Sequence, residues 1–150
     1  MPSSPPTSAA KRILLVEDNP NDEALTLRAL AKAGFAEHVV VVRDGVEALR
    51  HLLGDPTSGL EQADAPRVVL LDLKLPKIDG LEVLRQIRAD ARTKRIPVVV
   101  FTSSDEERDR TQAYDLLANS YVRKPVPFEE FSHTVTAIAR YWAEVNQPVE

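Results

Sequence analysis

An α/β fold of the doubly wound kind, one parallel sheet between two layers of helices, is predicted by two features of this chain. Four short runs are continuously apolar and rich in β-branched residues, as suits strands buried on both faces. The segments between them carry helical spacing and helix-start signals, and strands joined through helices run parallel with right-handed crossovers.

Ile13 to Val16 is the first strand. Asn19-Pro20, followed by Asp22 and Glu23, opens the first helix, on which Ala24, Leu27 and Ala31 share one face. Val39 to Val42 is the second strand, and Asp44 starts the helix after it. Gly54 to Pro66 is a polar loop, longer than usual, where local disorder is expected. Val68 to Leu71 is the third strand; Asp79 starts the third helix, with Leu81, Leu84 and Ile87 on one face. Val98 to Phe101 is the fourth strand, and Ser104 with Glu107 three residues on reads as a capping box. The helix after it has few large apolar residues before Leu116, and such thin anchoring suits a segment that shifts on a signal. Ser120 to Arg123, before Lys124-Pro125, is a weaker fifth strand. In the last helix, from about Pro127 to Val145, Phe128, Phe131, Val135, Ile138 and Trp142 recur at three and four. That is a core-facing stripe. With Tyr141 and Val145 beside it the stripe is wider and more aromatic than one sheet-facing helix needs, so a homodimer through this helix is expected.

At 150 residues the chain is the size of one domain, expected over residues 11–145, with residues 1–10 a Pro/Ser-rich N-terminal tail and residues 146–150 a C-terminal tail. With 43% hydrophobic and 28% charged residues it is no disordered chain. A net charge of -4 without a basic stripe argues against nucleic-acid binding, and no run approaches a membrane span. The absence of Cys removes disulfides and thiolate chemistry and fits a cytoplasmic location. His38, His51 and His133 have no ligand-like spacing and are expected at the surface.

In an open parallel sheet, ligands bind beyond the carboxyl ends of the strands. The first strand ends on Glu17-Asp18, the third on Asp72, the fourth on Thr102 and the fifth on Lys124. Three carboxylates in a small volume repel one another unless a cation joins them, and an all-oxygen set favours a hard ion such as magnesium. A lysine and a threonine hydroxyl beside them suit phosphoryl oxygens. Together they describe a phosphoryl site with one carboxylate free to act as nucleophile. The Gly-free acidic turn from Glu17 to Asp22 is the wrong chemistry for cradling a nucleotide.

The segments ILLVEDNPND, VVLLDLKLPKIDGLEVLRQIR, IPVVVFTSS and SYVRKPVPFEEF resemble the successive motifs of the response-regulator receiver family, in order and spacing, over about residues 11–145. The resemblance implies a flavodoxin-like sheet of order 2-1-3-4-5. It implies that Asp72 accepts a phosphoryl group from a sensor histidine kinase, that Glu17, Asp18, Asp72 and the Lys74 backbone carbonyl hold magnesium, that Thr102 is the switch hydroxyl, that Tyr121 is the aromatic that changes rotamer, and that Lys124 pairs with the phosphoryl group. It also implies a Lys124-Pro125 bond that is often cis, and side chains at Lys74 and Ser104 that tune phosphoryl lifetime. One departure is Leu117, where the family often has Gly. The VEDNPND start, the extended loop before the third strand and the lack of an output domain resemble stand-alone regulators that serve bacterial phytochrome kinases. A dehalogenase-type phosphatase would need a second Asp where Lys74 stands, and a flavin-binding relative would need a Gly/Ser/Thr-rich loop where the acidic turn stands. The intact acid, hydroxyl and lysine set also argues against a receiver fold kept only as a phosphorylation-independent adaptor.

Overall fold

The computed structural model describes residues 12–62 and 64–149. The expected N-terminal tail, residues 1–10, lies outside the described residues. The elements, in order, are β1 (Ile13–Val16), α1 (Pro20–Lys32), a 3-10 turn (Ala36–His38), β2 (Val39–Val42), α2 (Gly45–Leu53), β3 (Val68–Leu71), α3 (Gly80–Ala89), β4 (Val98–Thr102), α4 (Glu107–Asp115), β5 (Ser120–Arg123) and α5 (Phe128–Arg140). A π-helical turn, Tyr141–Val145, extends α5, and residues 146–149 follow it as irregular chain. All strand pairs are parallel and the order is β2-β1-β3-β4-β5, the doubly wound order with its reversal at β1 and β3.

The unbroken apolar runs follow from the period of two along a strand. Leu14, Val16, Val69, Leu71, Val98 and Val100 face one core, filled from α2 by Ala48, Leu49 and Leu52 and from α3 by Val83, Leu84 and Ile87. Ile13, Leu15, Val68, Leu70, Val99 and Phe101 face the other, against Ala29 and Leu30 of α1 and Phe131, Val135, Ile138 and Ala139 of α5. Every residue of β1, β3 and β4 is buried. At ~1.5–3 kcal/mol for each large apolar side chain removed from water, the three central strands are the most strongly held part of the molecule.

The expected helix starts hold at three places. Asn19 caps α1 with its side chain on the amides of Asn21 and Asp22, Pro20 occupies the first turn, and Asp44 and Asp79 cap α2 and α3 through the amides of Glu47 and Glu82. Three readings are corrected. The buried face of α1 is Thr26, Ala29 and Leu30, while Ala24 and Ala31 are exposed, because the helix leans on α5 as well as the sheet. Ser104 does not cap α4, which starts at Glu107 after Glu106. Ser104 Oγ instead donates to Asp109 Oδ2 at 2.6 Å and accepts from the Glu106 amide, while its carbonyl accepts from Tyr121. Those bonds tie it into the strand-end turn and push the helix start onward. His38 and His51 are half-buried rather than surface residues, with His38 edge-on to Phe35 at 6.2 Å and the His51 pKa lowered by burial.

The loop after α2 closes on itself: Asp55 and Leu60 exchange backbone hydrogen bonds of 2.7 and 3.0 Å around a turn carrying Gly59 at φ 75°. The Lys124–Pro125 bond is trans. On α5 the stripe is mostly core: Phe131, Val135 and Ile138 are buried, Phe128 and Trp142 half-buried, and only Tyr141 and Val145 exposed. Of α4, Ala113 alone among the described residues is buried, as its sparse apolar content foretells.

Leu117 takes the left-handed conformation, φ 67°, just past α4, with its side chain exposed and its carbonyl accepting from Arg88 Nε. This conformation costs a non-glycine residue about 1–2 kcal/mol, partly offset by the greater backbone entropy a glycine loses on folding. Leu117→Gly is therefore expected to raise stability by a few tenths to about 1 kcal/mol in urea unfolding. A drop would mean that the exposed Leu117 side chain contributes packing.

Candidate functional site

The site lies where β1, β3, β4 and β5 end. Backbone bonds carry the sheet ladder one residue past three of the strands: the amide of Glu17 to the Val42 carbonyl at 3.0 Å, Asp72 to Val16 at 3.2 Å and Lys124 to Thr102 at 2.7 Å. Glu17, Asp72 and Lys124 thus leave the sheet at one level with rigid backbones. Gly80 makes room for this geometry, since a Cβ there would run into the carbonyl oxygen of Asp72 and the Cα of Leu73. Gly45 does the same against Ile78, letting α2 press on the loop between β3 and α3.

Lys124 Nζ donates to Glu17 Oε1 at 2.6 Å, Asp22 Oδ2 at 2.8 Å and Asp72 Oδ2 at 3.0 Å. Its side chain is 4% exposed. The Asp72 Oδ1 atom accepts from the Lys74 amide at 3.4 Å, and Glu17 Oε2 from the Asn19 amide at 3.2 Å. Thr102 is buried, with its Oγ1 accepting from the Ser104 amide at 3.3 Å. Tyr121 is half-buried, donates to the Ser104 carbonyl at 3.0 Å and has Arg110 over its ring. Glu17, Asp72 and Lys124 are thus bonded to one another, while Thr102 stands at the end of the adjoining strand and Tyr121 is linked to it through Ser104.

Glu17, Asp18 and Asp72 each offer a carboxylate oxygen within 4.8 Å of the others, Glu17 and Asp72 buried and Asp18 exposed. Three carboxylates, Glu17, Asp22 and Asp72, meet one ammonium, and Asp18 adds a fourth acid to the cluster, a surplus of negative charge. Its effects are visible on both sides. Burial, reinforced by the Asp72 charge, pushes the Glu17 carboxyl up to about 7 despite its bond to Lys124. Burial would lower the Lys124 pKa, but Asp72, Asp22 and Glu17 outweigh it and hold the ammonium more tightly protonated than usual. An all-oxygen, partly open acidic set with too little positive charge fits a hard divalent cation, whose charge would offset the surplus and favour ionised Glu17.

A family model described as the response regulator receiver domain matches residues 13–136. The chain belongs to that family. The receiver is 44% identical over 135 residues to a probable methanogenesis regulatory protein, FilR2, of Methanothrix harundinacea, covering 90% of this chain and 85% of that protein. The crystal structure of a phosphorylated cyanobacterial phytochrome response regulator, RcpA, is similar at TM-score 0.83 and 39% identity, over 93% of this chain and 99% of that one. The Mn(2+)-bound form of response regulator Rcp1 is similar at TM-score 0.82 and 35% identity, over 93% and 99%. Among the described residues of the receiver, no helix is long and apolar enough to cross a membrane.

Asp22 is the site residue that sequence reasoning did not assign. It was legible only as an acidic first-turn residue, and its place five residues after Glu17, in the first turn of the helix that follows β1, was the available signal.

The raised Glu17 pKa has a consequence for stability without metal. Between pH 4.5 and about 7 the folded receiver keeps a proton on Glu17 that the unfolded chain has lost, so folding stability from this group falls as pH rises through that window and is level above it. Urea unfolding in chelator should show this decline in the wild type and a flatter profile in Glu17→Gln. Equal slopes would place the proton elsewhere.

Proposed function

We propose that this receiver is a phosphorylation switch in which Asp72 takes a phosphoryl group from a phosphohistidine of a sensor histidine kinase, and that it works in the cytoplasm through protein-protein contacts. The observation that carries the reading is the placement of Lys124 Nζ 3.0 Å from Asp72 Oδ2, with Thr102 buried at the end of the adjoining strand. An oxygen of Asp72 attacks phosphorus, the P–N bond to the kinase imidazole breaks, and the electron pair leaves with the imidazole. Lys124 and the Thr102 hydroxyl then hold the phosphoryl oxygens. Glu17, Asp18, Asp72 and the Lys74 backbone carbonyl would hold magnesium, which when bound neutralises charge on the phosphoryl oxygens.

The new dianion lies beside Thr102, whose Oγ1 already meets the Ser104 amide, and Ser104 meets both Tyr121 and Asp109 of α4. Movement of Thr102 toward the phosphoryl group draws on that chain, releases Tyr121 to another rotamer and shifts the thinly anchored α4. The likeness to RcpA, a cyanobacterial phytochrome response regulator, supports a bacterial phytochrome kinase as the partner. The exposed Tyr141 and Val145 at the end of α5 support a homodimer through that helix.

Intact-protein mass after incubation with acetyl phosphate and magnesium is expected to rise by one phosphoryl group in the wild type, to be unchanged without magnesium, and to be unchanged in Asp72→Asn. No gain under conditions that label another receiver would leave a phosphorylation-independent adaptor as the better reading. For the dimer, Tyr141→Glu with Val145→Glu is expected to convert a sedimenting dimer to monomer, and a wild type that is monomeric at high concentration would remove that part of the proposal.

A further inference from the structure

We propose that Asp22 is a positioning residue that aims Lys124 at the acceptor, acting as its dedicated counter-ion; this rests on reading Asp72 as the phosphoacceptor. An ammonium has three donors, and here each has a carboxylate: Glu17 at 2.6 Å, Asp22 at 2.8 Å and Asp72 at 3.0 Å. The three acceptors have different duties. Asp72 is the acceptor itself and makes the longest of the three bonds. Glu17 belongs with Asp18 and Asp72 to the triplet that fits a divalent cation, so its charge is shared. Asp22 stands outside that triplet and is left to Lys124.

Asp22 is also well fixed. Its amide donates to Asn19 Oδ1 at 3.0 Å, and its carbonyl accepts from Oγ1 of fully buried Thr26 at 2.8 Å. It lies in the first turn of α1, where the helix dipole favours negative charge. A lysine has a long, rotamer-rich stem, and two carboxylates carried on fixed backbone remove much of that freedom. When phosphorus bonds to Asp72, the bonds to Glu17 and Asp22 can persist while the third donor passes from Asp72 to a phosphoryl oxygen. Lys124 is then already in place when charge develops on the transferring group.

The test combines two readouts on the magnesium-loaded receiver: hydrogen exchange of the Lys124 ammonium followed by NMR at Nζ, and the rate of labelling by acetyl phosphate. Asp22→Asn is expected to speed ammonium exchange at least about tenfold and slow labelling on the order of tenfold, with magnesium affinity changed by less than about twofold. Asp22→Glu should restore part of both. In a Lys124→Ala background Asp22→Asn should slow labelling no further, because the residue acts through Lys124. A Lys124 ammonium as protected in Asp22→Asn as in the wild type overturns the proposal. So does a loss of magnesium affinity in step with labelling, which would make Asp22 a metal ligand, or a further slowing without Lys124. If the wild type takes no phosphoryl group, the phosphoacceptor reading fails separately, and ammonium exchange still decides whether Asp22 anchors Lys124. Should Asp22→Asn not fold, Asp22→Ser repeats both measurements.

Discussion

The ammonium of Lys124 joins parts of the chain that are otherwise far apart in sequence. It ties the end of β5 to the end of β1, the start of α1 and the end of β3 through Glu17, Asp22 and Asp72. Taking such charges out of water is costly, and removing one partner of a buried ionic group typically costs about 3–5 kcal/mol. The cluster persists because the strands on either side leave its members nowhere else to go. Its cation does not match its anions, however, and the surplus of negative charge suits a divalent cation.

The rest of the fold divides into a part that holds this cluster still and a part free to respond to it. Two apolar cores clamp β1, β3 and β4 from both sides, and Gly80 and Gly45 let the loop after β3 close down on Asp72. On the β4–β5 side the structure thins out. α4 buries little, and the turn before it is held by single hydrogen bonds through Ser104 to Tyr121 and Asp109. A change of charge at the rigid end is transmitted most easily to the element with least to lose by moving.

Much of this was legible in the sequence. The four apolar runs gave β1 to β4 within a residue, and the weaker Ser120 to Arg123 segment gave β5; for β1, β3 and β4 no alternation was needed because they are buried on both faces. Asn19, Asp44 and Asp79 marked three helix starts because a side-chain cap is a local interaction. The failures lay in packing and in the choice of side-chain partners. The buried side of α1 depends on α5 as well as the sheet, and the start of α4 depends on Tyr121 drawing Ser104 into a turn. His38 and His51 were misplaced because their burial is set by packing, not by ligand-like spacing.

By itself the sequence determined which elements form and which residues stand at the strand ends, since periodicity, capping and strand length are properties of contiguous residues. That was enough to gather Glu17, Asp18, Asp72, Thr102 and Lys124 on one edge of the sheet. Only the tertiary structure decided how they bond: that Lys124 is shared among three carboxylates, that Asp22 is one of them, that Ser104 turns to Asp109, and that Leu117 accepts a left-handed backbone. Hydrogen-bond partners over a hundred residues apart are chosen by distance and burial, and neither is written in any local stretch of chain.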